Sequence, residues 1–374
     1  MGSIALGVGL AAAGLDSAEL GVVLGAVLIG SAAASVVLGR LGDRVGRRRA
    51  YAVLFALMLA AGSTFALTDW LPALVLAALT GTISADVVES GPFTTLEQPM
   101  LAGVPGPEGT ARTFAAYNAI ATIAGSVGAL VVALVSLLPE PPSSQRLFFV
   151  YAVAAAGGLV LSRTLTDAVE APASEPSVPR ASLGASRANV HKLSALFALD
   201  SFGGGFVVQA FVAYVFVRRF DAPPEVLGVT FFAVGILQAL SFQVAARLAA
   251  RIGLLRTMVF THLPSNLLLA SIAFAPNLAT AVALLLARFA LSQMDVPARQ
   301  AYVMALVSPE ERTAAAGYTN AARYVSRPPA AIAGGALAGL SLVGPFVVAG
   351  VVKSIYDLAL YLVFRRVPLD PHEP

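Results

Sequence analysis

The sequence of 374 residues contains no cysteine. Disulfide bonds, thiolate metal sites and cysteine nucleophiles are therefore excluded. Charge is also scarce, because only 12% of the residues are Asp, Glu, Lys or Arg, against about 25% in soluble domains. The only histidines are His191, His262 and His372, and their wide spacing does not indicate a metal site. No glycine-rich loop ending in Lys-Ser or Lys-Thr is present, so we do not expect ATP to drive this protein directly.

Hydrophobic residues make up 57% of the chain, and the mean hydropathy is +0.80. Apolar stretches of about 20 residues recur from end to end, which is typical of an all-α, polytopic membrane protein. The formal net charge is +3, but the basic residues fall in short loops between apolar runs, so we expect no nucleic-acid partner. The N-terminus lacks a basic region, so we expect no secretory signal peptide. No residue set indicates catalysis, and we expect neither an enzyme nor a cofactor.

The apolar runs predict eleven full helices and one short one, with errors of about 2–4 residues at each end. The full helices are predicted over residues 18–39, 50–68, 71–92, 111–138, 146–163, 191–217, 225–247, 256–275, 278–300, 312–340 and 345–364. The short apolar segment covers residues 2–15. Most of the 24 Lys and Arg residues fall in one alternate set of loops, which the positive-inside rule places in the cytoplasm. We therefore predict a multi-pass protein of the plasma (inner) membrane with a cytoplasmic C-terminus.

Residues 164–190 form the longest polar stretch and are rich in Pro, Ala and Ser. Such a composition cannot build a core, so this stretch is predicted to be a flexible cytoplasmic linker. It divides the chain into an N-terminal membrane bundle, residues 1–163, and a C-terminal membrane bundle, residues 191–366. Residues 367–374 are the predicted cytoplasmic tail.

Two offsets relate the halves of the sequence. At an offset of 202, identical residues coincide: Gln98 with Gln300, Pro107-Glu108 with Pro309-Glu310, and Asn118-Ala119 with Asn320-Ala321. At an offset of 207, the coinciding residues are Leu41 with Leu248, Arg44 with Arg251, and Gly46 with Gly253. Two tandem copies of a multi-helix unit are typical of transporters with parallel repeats and a midplane site between the halves.

The repeat also predicts that the first helix is incomplete at its N-terminus. Residues 2–15 would span only about 21 Å at about 1.5 Å per residue, short of the roughly 30 Å hydrocarbon core. A misassigned start, a trimmed chain and a genuinely shorter variant all remain open.

An arginine-rich stretch, residues 39–49, lies between the second and third predicted helices. Its pattern reads Gly39-x-Leu41-x-Asp43-Arg44-x-Gly46-Arg47-Arg48. This pattern resembles motif A of the major facilitator superfamily, and a second copy at 248–253 has Ala250 in the acidic position. Residues 199–206 and 292–300 are similar to a prokaryotic branch known mainly as uncharacterised transporters. The resemblance implies two six-helix bundles and secondary active transport by alternating access.

In that family the acidic residue of motif A pairs with an arginine and with the N-terminus of helix eleven. The resemblance therefore implies that Asp43 forms a cytoplasmic latch near Arg312, where free N–H groups and the helix dipole favour a carboxylate. The alternative is a basic loop that sets topology and has no gating role.

Ionisable residues inside predicted spans are costly and usually face a cavity or a partner. Helix four carries Asp86, Glu89 and Glu97, and helix ten carries Arg288, Asp295 and Arg299. The offset of 202 aligns Asp86 with Arg288 and Glu97 with Arg299, so opposite charges stand at equivalent depths. Our hypothesis is that these helices face a central cavity, with ion pairs or a substrate between them. The alternative is a structural network.

Two further residue groups belong to the candidate site. Asp200, beside Gln209 and the glycines at 203–205, is a candidate coupling proton site, with a satisfied polar residue as the alternative. Arg323 and Arg327 share one helix face with Asn320 and suggest an anionic substrate, with salt bridges to Asp295 or to helix four as the alternative. The candidate cavity set is Asp86, Glu89, Asn118, Asp200, Gln209, Arg288, Asp295, Asn320, Arg323 and Arg327.

Lys353 and Asp357 are four residues apart on the last helix, which is peripheral in this superfamily. We predict that they form an intrahelical ion pair without a transport role.

Three function hypotheses remain open from the sequence. The first is proton-coupled efflux of a small amphipathic organic solute by a monomer in the lipid bilayer. The second is symport uptake of an organic anion, and the third is a non-transporting or truncated relative. A drug-efflux assignment is weakened, because helix five lacks the expected Gly-Pro and helix four lacks an arginine.

Overall fold

The computed structural model describes residues 2–85, 91–102, 107–138, 146–170, 183–184, 186–307 and 311–367. Within these ranges the chain consists of helices joined by turns and contains no strand. The α-helices are α1 Gly2–Ala12, α2 Ser17–Val45, α3 Arg47–Leu67, α4 Leu71–Ala78, α5 Pro92–Ala102, α6 Pro107–Ser136, α7 Leu147–Ser162, α8 Arg187–Gly205, α9 Gln209–Phe220, α10 Pro224–Ile252, α11 Leu254–Ile272, α12 Leu278–Ser292, α13 Asp295–Ala305, α14 Arg312–Leu340 and α15 Gly344–Phe364. A short 3-10 helix, Asp167–Val169, follows α7.

Six segments among the described residues are long and apolar enough to cross a membrane. They are Ser17–Leu38, Arg47–Leu67, Arg187–Phe220, Pro224–Ile252, Leu278–Ala305 and Gly344–Phe364. Three shorter apolar helices accompany them, and α1, at 11 residues, is one of these. The predicted all-α membrane fold is confirmed.

The chain forms two compact units. The first unit comprises Met1–Ala173 and Val208–Gly235, and the second comprises Ser174–Val207 and Ile236–Pro374. The chain therefore passes between the units at the α8–α9 connection and again within α10. Residues 171–182 and 185 of the predicted linker lie outside the described residues, so its boundaries stay a prediction.

The internal repeat is visible in the helix boundaries. Helices α2 and α10 both have 29 residues, and each is followed by one glycine before the next helix starts. These glycines, Gly46 and Gly253, have φ angles of 95° and 87°. Residues that carry an L side chain rarely adopt such angles. The predicted end of the second helix at residue 39 is therefore wrong. Helix α2 continues to Val45, and one glycine makes the turn.

Two predicted helices are each broken in two, and a third ends early. The helix predicted over 191–217 is interrupted after Gly205, because three successive glycines are poor helix formers. The helix predicted over 278–300 is interrupted at residues 293–294, because the ring of Pro297 clashes with a carbonyl four residues earlier in a continuous helix. The helix predicted over 71–92 ends as α4 at Ala78, shortly before Gly81 with its φ of 71°.

The glycine run of α8 brings neighbouring helices of the second unit unusually close. A Cβ atom on Gly205 would lie 2.4 Å from the carbonyl oxygen of Arg327 and 2.7 Å from Cβ of Ala330. A Cβ atom on Gly203 would lie 2.7 Å from Cγ of Lys353. Helix α8 is thus pressed against α14 and α15, and this contact sets the position of Asp200 one turn earlier.

Candidate functional site: buried charges of the second unit

The second unit contains a group of buried polar side chains that we call the charge cluster. Its members are Asp200 on α8, His262 and Asn266 on α11, Asp295 and Arg299 on α13, and Lys353 and Asp357 on α15. None of them exposes more than 6% of its surface. Four helices thus bring seven polar residues into one apolar interior, where burial of charge is costly unless the charges are paired.

Asp200 is the centre of the cluster. Nζ of Lys353 donates to Oδ1 of Asp200 at 2.5 Å and lies 3.4 Å from its backbone oxygen. The other carboxylate oxygen, Oδ2, is 3.7 Å from NH1 of Arg299. This one carboxylate therefore links α8 to α13 and α15.

Asp357 is the centre of a second branch. Its Oδ1 atom accepts a hydrogen bond from Nδ1 of His262 at 2.9 Å. Its Oδ2 atom accepts a hydrogen bond from Nδ2 of Asn266 at 2.8 Å. The other ring nitrogen of His262, Nε2, lies 3.9 Å from Oδ1 of Asp200. The imidazole therefore connects the two branches.

A third pair lies at the start of α13. NH1 of Arg299 donates to Oδ2 of Asp295 at 2.8 Å, and the guanidinium carbon of Arg299 is 5.6 Å from the ring centre of Phe197. The break at residues 293–294 puts Asp295 in the first turn of α13, where the helix dipole favours a carboxylate. The predicted face shared by Arg288 and Arg299 is interrupted by this break.

The predicted intrahelical pair of Lys353 and Asp357 is wrong. Lys353 binds Asp200, and Asp357 binds His262 and Asn266. Sequence reasoning also missed His262 and Asn266. The available signal was spacing, because α11 and α15 each carry two polar residues four positions apart on an otherwise apolar face.

Two arginines of the candidate set stand beside the cluster without joining it. Arg288 and Arg323 are half-buried, and the Nε atom of each is buried without a hydrogen-bond partner. Both lie within electrostatic range of Asp200 and Asp295. Within the described part of the chain neither forms an ion pair, so the predicted salt bridge from Arg323 to Asp295 is absent.

The other candidates on α14 are less buried than the cluster. Asn320 is exposed and Arg327 is half-buried. The main-chain oxygen of Arg323 accepts a hydrogen bond from the hydroxyl of Ser201 at 2.8 Å. This hydrogen bond, together with the close approach of Gly205 to the backbone oxygen of Arg327, joins α14 to α8.

The remaining candidate residues belong to the first unit. Gln209 begins α9 and is buried, with 6% of its surface exposed. Asp86 and Glu89 lie outside the described residues, as does the side chain of Asn118. Glu97 accepts hydrogen bonds from the hydroxyl groups of Tyr51, at 2.7 Å, and Tyr117. Its described partners are thus neutral phenols of its own unit.

The motif A segment is described in part. Gly39 and Leu41 lie in the last turns of α2, whereas the side chains of Asp43 and Arg44 lie outside the description. The backbone N–H groups of Arg47 and Arg48 donate to the carboxylate of Glu170 at 2.7 and 3.2 Å.

Glu170 therefore caps the start of α3 by satisfying two free N–H groups. NH1 of Arg48 also donates to Oδ1 of Asp167 at 2.6 Å. The sequence signal for this contact is a pair of acids, Asp167 and Glu170, within eight residues of the end of α7.

A repeated multi-helix unit, long apolar helices and ionisable side chains buried among them define a polytopic membrane transporter. The sequence family described as the Major Facilitator Superfamily matches residues 2–331, and the chain belongs to this superfamily.

Similar proteins are consistent with this membership. An uncharacterised membrane protein of Saccharomyces cerevisiae is 25% identical over 323 residues, which cover 76% of this chain and 72% of that protein. The xylose transporter XylE from E. coli, in an inward-open conformation, has a similar fold at a TM-score of 0.73 and 14% identity, covering 100% of this chain and 95% of that one. The human organic anion transporter MFSD10 matches at a TM-score of 0.61 and 16% identity, covering 91% and 84%.

Proposed function

We propose that this chain is a proton-coupled secondary transporter of a small organic solute and that Asp200 is its coupling carboxylate. The observation that supports the proposal best is the ion pair between Asp200 and Lys353, buried in a helix bundle at 2.5 Å. Ionisable side chains inside membrane spans are expensive and usually belong to substrate or proton pathways. A pair that served packing alone could be replaced by apolar residues at little cost.

The pair offers a simple link between protonation and helix packing. A proton on Asp200 removes the attraction that holds Lys353 and Arg299 to the carboxylate. The contact of α8 with α15 then weakens at the point where Gly203 packs against the stem of Lys353. Because α8 ends at Gly205, a shift of this helix is absorbed at the break before α9.

The proposal is tested by solute-driven proton movement in proteoliposomes loaded with a pH-sensitive dye. D-xylose, tetraphenylphosphonium and succinate serve as neutral, cationic and anionic probes, each added under a pH gradient of either polarity. We expect one class to move protons through the wild-type protein and Asp200→Asn to abolish the movement. Asp69→Asn, an exposed carboxylate in the turn before α4, is the matched control. Solute transport that persists in Asp200→Asn with unchanged proton movement contradicts the coupling role, and no movement with any probe favours a non-transporting relative.

Efflux in exchange for protons is the direction we propose first, and uptake of an organic anion with protons is the second candidate. A specific observation favours the second candidate. Arg288 and Arg323 present guanidinium groups whose Nε atoms lack a partner among the described residues, and such groups suit carboxylates. If succinate is transported, we expect Arg288→Gln and Arg323→Gln each to raise its KM at least tenfold. Unchanged KM values in both variants exclude this anion site.

We also propose that the protein is a monomer of the plasma membrane with a cytoplasmic C-terminus and that Asp43 belongs to a cytoplasmic latch. The arginine-rich turn and the resemblance to motif A support this placement. A protease-accessible tag at the C-terminus is expected to be cleaved only after the membrane is opened. Asp43→Asn is expected to shift the balance of inward-open and outward-open states, and Ala250→Asp to change it less.

A further inference from the structure

We infer that His262 is a proton-binding site in series with Asp200. The imidazole lies between two carboxylates, with Nδ1 2.9 Å from Asp357 and Nε2 3.9 Å from Asp200. It is buried, with 4% of its surface exposed. The existence of this proton site rests on geometry alone, whereas its use in coupling rests on the proposed function.

Hydrogen-bond chemistry supports a second proton on the ring. A neutral imidazole donates through one nitrogen and presents a lone pair at the other, while an ionised carboxylate can only accept. The Nδ1–H bond to Asp357 therefore leaves a lone pair on Nε2, which lies 3.9 Å from a carboxylate oxygen of Asp200. A proton on Nε2 replaces this repulsion with a charge-assisted interaction.

The charge balance of the cluster leads to the same result. Its carboxylates are Asp200, Asp295 and Asp357, and its permanent cations are Arg299 and Lys353. The cluster is thus one positive charge short of neutrality. A buried uncompensated charge is costly, and one proton on His262 compensates it.

The surrounding side chains set how strongly this proton is held. The charged and titratable groups that face the site are Asp200 on α8, Arg288 on α12, Asp295, Arg299 and Tyr302 on α13, Arg323 on α14, and Lys353, Tyr356 and Asp357 on α15. The ring centre of Tyr356 is 6.0 Å from that of His262. Arg288 and Arg323 oppose protonation, but they form no ion pair with the described carboxylates.

The repulsion between these two arginines and a protonated His262 connects the proton site to anion binding. An anion bound by Arg288 or Arg323 cancels positive charge next to the cluster and thereby favours the proton on His262. By linkage the proton favours the anion to the same extent. The two half-buried arginines and the buried histidine thus form one cooperative arrangement.

The coupling step transfers this proton within the cluster. The Nε2–H bond of the imidazolium breaks and an O–H bond forms on Oδ1 of Asp200, after a side-chain rotation closes the 3.9 Å gap. The ring keeps its Nδ1–H bond to Asp357 and becomes neutral, and Asp200 becomes a neutral acid. The total charge of the cluster stays constant, but Lys353 loses its ionised partner.

The protonation state can be read directly by NMR of the full-length protein with nitrogen-15-labelled histidine in nanodiscs. The chain has only three histidines, so His191→Gln and His372→Gln assign the signals, and exposed His191 is the internal reference. We expect the His262 signals of the wild-type protein at neutral pH to be those of a ring that carries protons on both nitrogens. We expect Asp357→Asn to convert it to a neutral ring. A neutral His262 at this pH in the wild-type protein overturns the inference.

A second measurement separates this inference from the proposed function. His262→Gln retains a donor for Asp357 but cannot take up a proton. We expect it to keep solute binding and to reduce the solute-driven proton movement at least tenfold, whereas His191→Gln, at an exposed position of α8, should leave that movement unchanged. Failure of the proposed function appears as absent proton movement in the wild type, and the NMR result then decides the proton site by itself. Unchanged proton movement in His262→Gln overturns the role of this site in coupling.

Discussion

The same helix pair is packed in different ways in the two units. In the first unit α3 packs on α7, and in the second α11 packs on α15. The repeat offset of 207 places Phe55 of α3 at the position of His262 on α11. A Cβ atom on Gly158 of α7 would lie 2.2 Å from the Phe55 ring, so there an aromatic ring fills the space that a glycine leaves. In the second unit the residue at the position of Phe55 is His262, whose imidazole binds the carboxylate of Asp357 on α15.

The difference shows that this helix contact does not need charge. Between α3 and α7 an aromatic ring packs on a glycine, and the apolar area buried there stabilises the contact. The second unit holds the charged alternative, which gains little net stability because desolvation offsets the Coulomb attraction. Packing alone therefore does not account for the polar contact in the second unit, whereas the inferred proton binding by His262 does.

The largest expected effect follows from transferring the packing of the first unit to the second. His262→Phe leaves the carboxylate of Asp357 with only Asn266 as a described partner. We expect the variant to lose about 3–5 kcal/mol of unfolding free energy, the usual cost of breaking a buried pair from one side. The double variant His262→Phe/Asp357→Gly removes the unpaired carboxylate and sets a phenyl ring against a glycine, so it should regain at least half of the loss. Thermal unfolding in detergent measures both variants, and a double variant less stable than the single one would show that an apolar contact cannot replace the polar one.

The second prediction compares glycines that differ in their surroundings. Gly205→Ala places a methyl group 2.4 Å from the backbone oxygen of Arg327, and overpacking of this kind costs about 1–3 kcal/mol. Gly157→Ala, in α7 of the first unit, meets no atom within 4 Å and should stabilise its helix by about 0.5–1 kcal/mol. The melting temperatures of the two variants should therefore move in opposite directions. A destabilised Gly157→Ala, or a neutral Gly205→Ala, would show that the close approach of α8 and α14 is not a tight constraint.

Much of the fold could be predicted from the sequence, because hydropathy and repeats report on local and periodic properties. The offset of 207 already aligned Gly46 with Gly253, and both make the same positive-φ turn. The ends of α2 and α10 were predicted less well. Arginines that lie at the membrane edge end an apolar run without ending the helix, so hydropathy stopped at residue 39 whereas α2 reaches Val45.

The partners within the charge cluster could be predicted much less well. Helical spacing identified Lys353 and Asp357 as neighbours on one face, but spacing alone favours a pair within the helix. The close approach of α15 to α8 depends on the absence of a side chain at Gly203, which lets Lys353 reach Asp200. The partner that each buried charge binds depends on packing between helices, and the periodicity of a single helix does not report on that packing.

The smallest expected effect concerns two tyrosines at the edges of the polar groups, one in each unit. Tyr51 donates to Glu97 at 2.7 Å, so Tyr51→Phe should cost about 0.5–1.5 kcal/mol of unfolding free energy. The hydroxyl of Tyr302 is buried without a partner among the described residues, so Tyr302→Phe removes an unsatisfied group and should be neutral or slightly stabilising. Chemical denaturation of the two single variants, compared with wild type, measures the difference. If both variants lose the same stability, the Tyr302 hydroxyl has a partner such as a bound water, and the polar network of the second unit reaches further along α13 than the charge cluster.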